Sequence, residues 1–87
     1  MIVTVYSTPA CPQCRMTKLK LTKNGIRYES VDLTKSPADE AAVKELGFTQ
    51  APVVIANVNG EDLMWQGFRP DLIDQVKQWA DEEEGAA

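Results

Sequence analysis

Ile2-Val3-Thr4-Val5-Tyr6-Ser7-Thr8-Pro9-Ala10-Cys11-Pro12-Gln13-Cys14 is the stretch that decides the fold of this chain of 87 residues. β-Branched and aromatic side chains run from Ile2 to Tyr6, and Ser7-Thr8-Pro9-Ala10 breaks the run, which predicts a short buried strand and then a loop. From Pro12 to about Asn24 the residues are good helix formers. Pro12 stands at the first helical position, where a missing N–H leaves no hydrogen bond unmade. Met16, Leu19 and Leu21 are the expected inward side of this helix, with Lys18, Lys20 and Lys23 outward, and Asn24-Gly25 is its stop. Two cysteines therefore lie where a strand ends and a helix begins.

Working outward, Ile26 to Leu33 alternates through Tyr28, Val31 and Leu33 as a second strand. Ser36-Pro37-Ala38-Asp39 has the pattern of a cap, a proline at the first position and an acid three residues after the cap, and Gly47 closes that helix after Val43 and Leu46. Pro52-Val53-Val54-Ile55-Ala56 and Leu63-Met64-Trp65 flank Asn59-Gly60, the strongest short signal for a hairpin. Leu72, Ile73, Val76, Trp79 and Ala80 recur at helical spacing after Pro70. The order is β-α-β-α-β-β-α, an α/β fold whose first unit is a parallel crossover and whose last two strands form a hairpin on the same sheet. A four-stranded mixed sheet flanked by three helices follows. One domain is expected over residues 1–80, with residues 81–87, from Asp81-Glu82-Glu83-Glu84 onward, as an acidic flexible C-terminal tail.

Length and composition agree with a single small domain. With 44% hydrophobic and 25% charged residues, five Gly and five Pro, the chain has the composition of an ordinary soluble globular protein. A stability of roughly 4 to 13 kcal/mol is expected at this size, without metal or a disulfide framework. No apolar run approaches the ~18 residues of a membrane span, and the N-terminus lacks the basic and apolar stretches of a signal peptide. The expectation is a cytoplasmic protein, in a compartment where thiols are kept reduced. There is no histidine, which removes the usual neutral-pH general base and the commonest transition-metal ligand.

Charge is polarised along the chain. Residues 1–35 hold six basic and two acidic side chains, whereas residues 36–87 hold three basic and eleven acidic ones, for a net charge of −4. Arg15, Lys18, Lys20, Lys23 and Arg27 form a basic run with no acid among them, able to steer an acidic partner or simply to solvate a helix face. A pI of 4.6 and the lack of aromatics interleaved with these bases argue against nucleic acid as a partner.

Cys11-Pro12-Gln13-Cys14 carries the chemistry. The unsatisfied N–H groups and dipole of a helix N-terminus favour a thiolate over a thiol, which makes Cys11 the expected nucleophile. Cys14 is one turn on and on the same face, spaced to resolve a mixed disulfide. A disulfide closing so small a ring would stabilise the fold by only ~2 kcal/mol, so its value is redox rather than structural. Two other readings of the pair are half of a zinc or iron-sulfur site completed by a second chain, and a pair of inert buried cysteines.

Three stretches together bring in a family resemblance. Cys11-Pro12-Gln13-Cys14, Gln50-Ala51-Pro52-Val53-Val54 and Trp65-Gln66-Gly67-Phe68-Arg69-Pro70-Asp71 resemble the NrdH-redoxins, glutaredoxin-like members of the thioredoxin superfamily. The last is the most specific, being close to their WSGFRPD signature, with Gln66 where Ser is usual. Pro12 is closer to the CPxC of glutaredoxins than to the Cys-Val-Gln-Cys common in NrdH-redoxins. The resemblance implies a thioredoxin-like fold and a dithiol-disulfide oxidoreductase that delivers electrons to the large subunit of class Ib ribonucleotide reductase. It implies re-reduction by thioredoxin reductase, with NADPH used only indirectly, a redox-active Cys11–Cys14 disulfide in place of a bound cofactor or metal, and a monomer with no membrane or nucleic-acid partner.

From the same resemblance Thr8, Pro12 and Gln13 tune the dithiol. Ala51, Pro52, Val53, Trp65, Gln66, Gly67, Phe68 and Arg69 shape the partner surface, while the residues of Trp65–Asp71 taken alone suit a structural turn, with Trp65 and Phe68 packed beneath the third helix and Pro70-Asp71 in its first turn. A proline taken alone is expected trans, but the resemblance implies a cis Pro52 that holds the Ala51 backbone beside Cys11 for strand addition by a partner. Thr8 stands where glutaredoxins commonly carry Lys, and Gly67-Phe68 replaces their Gly-Gly, so the glutathione pocket is incomplete. A glutathione-dependent glutaredoxin and an iron-sulfur or metal-binding module are the alternative functions.

Overall fold

A computed structural model describes residues 1–85. In chain order it contains β1 (Ile2–Ser7), α1 (Pro12–Lys23), β2 (Glu29–Asp32), a 3-10 turn (Leu33–Lys35), α2 (Pro37–Glu45), β3 (Val53–Val58), β4 (Glu61–Gln66) and α3 (Pro70–Gly85). The four strands lie in the order β2-β1-β3-β4. β1 is parallel to β2 with Thr4 opposite Glu29, and antiparallel to β3 with Val5 opposite Val54. β3 and β4 form the expected hairpin with Val54 opposite Trp65. This is the mixed sheet of a thioredoxin-like fold.

Alternation along the strands divides the core between the two faces of the sheet. Val3, Val5, Val54, Ala56 and Val58 point to one side, where Leu21 of α1 and Ile73 and Val76 of α3 bury against them. Tyr6, Val53 and Ile55 point to the other, against Leu33, Val43 of α2 and Phe48. Each fully buried aliphatic side chain contributes about 1.5–3 kcal/mol of apolar transfer, so the larger first cluster dominates stability.

The helix face of α1 differs from the sequence expectation. Cys14, Thr17 and Leu21 are its buried residues, while Met16 and Leu19 are 48% and 64% exposed. Residues 14, 17 and 21 follow the helical repeat that starts from the second cysteine, and that repeat places 16 and 19 off the inward stripe. Leu46 is likewise exposed. β2 is shorter than the Ile26–Leu33 run, because Ile26 is buried in the loop before it and Leu33 begins the 3-10 turn.

α3 continues through the acidic run to Gly85, so the stretch expected as a tail is helical up to that residue. Lys77 Nζ bonds Asp81 Oδ2 at 2.9 Å, one helical turn apart, which carries the helix past the expected boundary. Residues 86–87 of the expected tail lie outside the described residues. Among the described residues no helix is long and apolar enough to cross a membrane.

Candidate active site

The strand-to-helix junction is built as its residues dictate. Cys11 is the N-cap of α1, with extended dihedrals of φ −109° and ψ 104°. Its Sγ accepts the Cys14 N–H at 3.1 Å, so sulfur occupies the place of the usual capping oxygen. Pro12 takes the first helical position. Cys11 and Cys14 form a disulfide with Cα atoms 5.2 Å apart. Cys11 is half-buried, whereas Cys14 is 3% exposed. Cys11 is thus the more accessible of the two.

A second segment closes onto this junction. Gln13 Oε1 accepts the Phe68 N–H at 3.1 Å. Gly67 donates its own N–H to the Pro52 carbonyl at 2.8 Å, and the Ala51–Pro52 peptide is cis. Gly67 has φ +79°, and a Cβ there would stand 3.3 Å from Gln13 Oε1 and 3.6 Å from Gln50 Nε2. Only glycine combines that backbone with so close an approach. Gln66 Oε1 accepts the Thr49 N–H at 2.9 Å, tying β4 to the loop that leads into Ala51. The three quoted stretches thus meet at one end of the sheet.

Other expected site residues are distributed differently. Trp65 is 4% exposed within the main core, where it packs with Ile73 and Val76 of α3. Its indole N–H finds no acceptor among the described residues. Burial of the ring outweighs that unmade bond, since an aromatic of this size removes about 150–250 Å² from water. The side chains of Pro52 and Val53 are also buried, and Phe68 is half-buried against the same core. Ala51 lines a groove of about 280 Å³ with Thr8, Phe48 and Lys44.

Arg69 is exposed but engaged, its Nε and Nη2 donating to the two carboxylate oxygens of Asp71 at 3.1 and 2.9 Å. That fork holds the Asp71 carboxyl below its usual range and raises Arg69. Thr49 is a member of the network that the sequence does not mark. Its signal lies in tertiary contact, which local patterning does not carry. Among the described residues no group of three or more His, Cys, Asp or Glu side chains could hold a metal.

The comparisons with known proteins agree with this geometry. The Glutaredoxin family model matches residues 3–62. The glutaredoxin-like protein NrdH of Escherichia coli strain K12 is 38% identical over 76 residues, covering 87% of this chain and 89% of that protein. NrdH of Lactococcus lactis subsp. lactis strain IL1403 is 36% identical over 69 residues, covering 79% of this chain and 90% of that protein. The structure of NrdH-redoxin from E. coli aligns with a TM-score of 0.80 at 39% identity, over 86% of this chain and 93% of that one. With the Cys11–Cys14 disulfide at its helix cap and relatives of this kind along most of its length, the chain belongs to the glutaredoxin family as an NrdH-like thiol-disulfide oxidoreductase.

Proposed function

We propose that this protein is an electron carrier of the cytoplasm, acting as a monomer, that reduces the large subunit of a class Ib ribonucleotide reductase and is re-reduced by thioredoxin reductase using NADPH. The observation that carries the reading is the packing of the Trp65–Asp71 segment on the dithiol junction through Gln13 and Phe68. The signature that resembles NrdH-redoxins is thereby part of the site's construction. Support also comes from the E. coli NrdH-redoxin, which is described as having a thioredoxin-like activity profile.

In the proposed cycle the Cys11 thiolate attacks one sulfur of the partner's disulfide. A Cys11–partner disulfide forms, and the partner's other sulfur leaves as a thiolate and takes up a proton. Cys14 then attacks Cys11 Sγ, the mixed disulfide breaks, and the second partner thiol is released. Two electrons have passed to the partner, and the Cys11–Cys14 disulfide that remains receives two back from the reductase. The helix N-terminus stabilises the attacking anion at each reduction.

The test is to incubate the oxidised protein with thioredoxin reductase and NADPH, and in parallel with glutathione and glutathione reductase, and then to add a class Ib ribonucleotide reductase. Reduction by the first system with sustained deoxyribonucleotide formation is expected. Reduction by glutathione alone overturns the reading.

A further inference from the structure

A groove of about 410 Å³ opens on both cysteines and follows α1 from Cys11 to Thr22, with Tyr28 across from it. Arg15, Lys18 and Leu19 complete the helix side, and none of the lining residues is acidic. Among the described residues Arg15, Lys18, Lys23, Arg27 and Lys35 make no ion pair, whereas Lys20, Lys44, Arg69 and Lys77 each have a carboxylate partner, and of the five only Arg15 and Lys18 line this groove. Lys18 is also held in place, because its Nζ lies 3.3 Å from Ser7 Oγ at the end of β1. Asp32, whose carboxylate feels the Lys18 charge, accepts hydrogen bonds from the Thr34 N–H and hydroxyl at Oδ1. Leu19, 64% exposed, is an apolar foothold beside the two cations.

From this we infer that the groove is the docking site for an extended, acidic segment of the oxidised protein substrate, which carries Asp or Glu close to the disulfide that Cys11 attacks. The inference rests on the disulfide-exchange function proposed above and adds the chemistry of the segment it recognises. Cys11 to Thr22 spans about 16 Å at 1.5 Å per residue of helix, which matches about five residues of extended chain. The acids therefore fall within about five residues of the attacked cystine. Cations without a carboxylate partner attract such a segment at long range and fix its register on arrival. The groove and the one beside Ala51 share Thr8 alone among their lining residues, so a segment lying along α1 leaves the other groove open.

The experiment uses pre-reduced, desalted full-length protein and synthetic peptides with one internal disulfide. Their flanks are acidic, amide-isosteric or lysine-bearing, and thiol release gives a second-order rate constant for each. The acidic peptide is expected to react about five-fold faster than its amide isostere at low salt, the advantage fading at ~0.5 M salt as the Debye length shortens. The double variant Arg15→Gln/Lys18→Gln removes the preference, and Arg15→Glu/Lys18→Glu transfers it to the lysine-bearing peptide. Equal rates for all peptides with the wild-type protein, or a preference that survives the Gln variant, overturn the groove assignment and leave disulfide exchange standing. Failure to reduce any peptide disulfide, or insulin, overturns the exchange function together with the groove.

Discussion

Gln13 and Phe68, 55 residues apart, are joined by a 3.1 Å hydrogen bond from the Phe68 N–H to the Gln13 side-chain oxygen. One of the two residues between the cysteines is thereby fixed to the loop before α3. Gly67, next to Phe68, sits against the same oxygen. Gly67→Ala is expected to cost about 1–2 kcal/mol from the left-handed backbone alone, and more from crowding Gln13. In a Gln13→Ala background the crowding is gone, so the two changes should be non-additive by at least about 0.5 kcal/mol. Denaturant unfolding of the four members of the cycle gives the coupling, and strict additivity would show that the contact does not hold the loop.

The inward stripe of α1 can be tested one residue at a time. Leu21→Ala should destabilise by about 2–5 kcal/mol, as expected for a fully buried leucine, whereas Leu19→Ala should stay within about 0.5 kcal/mol. Thr17 is fully buried, and its hydroxyl has no partner among the described residues. Thr17→Val, which keeps the shape and removes that group, is expected to leave stability unchanged or raise it by about 1 kcal/mol. A loss of that size would mean that the hydroxyl is satisfied.

Asp74 links α3 to α1 and should contribute a pH-dependent part of the stability. The Asn24 amide, and then Lys20, hold its carboxyl below the ordinary value of 3.8. Because the folded-state pKa is the lower one, the contribution is present above 3.8 and is lost as pH falls through the folded-state value. Asp74→Ala should melt below the wild type by a constant interval between about pH 7 and 5, and the interval should close at lower pH. An interval that persists into strong acid would assign the effect to packing.

The depth difference between the two sulfurs predicts different products for the serine variants. Cys11→Ser should lose disulfide exchange altogether. Cys14→Ser should still attack and then stall, accumulating a protein–substrate mixed disulfide that is visible by mass spectrometry and cleared by a reductant. Trapping by Cys11→Ser in place of Cys14→Ser would reverse the two roles.

Much of this architecture is legible in the chain because its signals are local. The β-branched run of β1, the proline at the first turn of α1 and Asn59-Gly60 each specify backbone geometry within a few residues, and all appear where expected. The inward face of α1 is misread because Met16 and Leu19 are the more apolar residues, while the helical phase is set by Cys14 and carries Thr17 inward. Trp65 is legible as a residue that packs beneath α3, and strand alternation turns it into the core opposite Val54. Contacts such as Gln66 to Thr49 join segments far apart in the chain, and no local period announces them.

Sulfur as the cap of α1 has a consequence for how reduction leaves the molecule. The Cys14 amide already leans on the Cys11 sulfur at 3.1 Å while the two are bonded. Once that bond is opened, a main-chain donor belonging to the second cysteine still faces the first. A negative charge on Cys11 would meet that donor directly, so one peptide unit of the second cysteine favours the thiolate of the first.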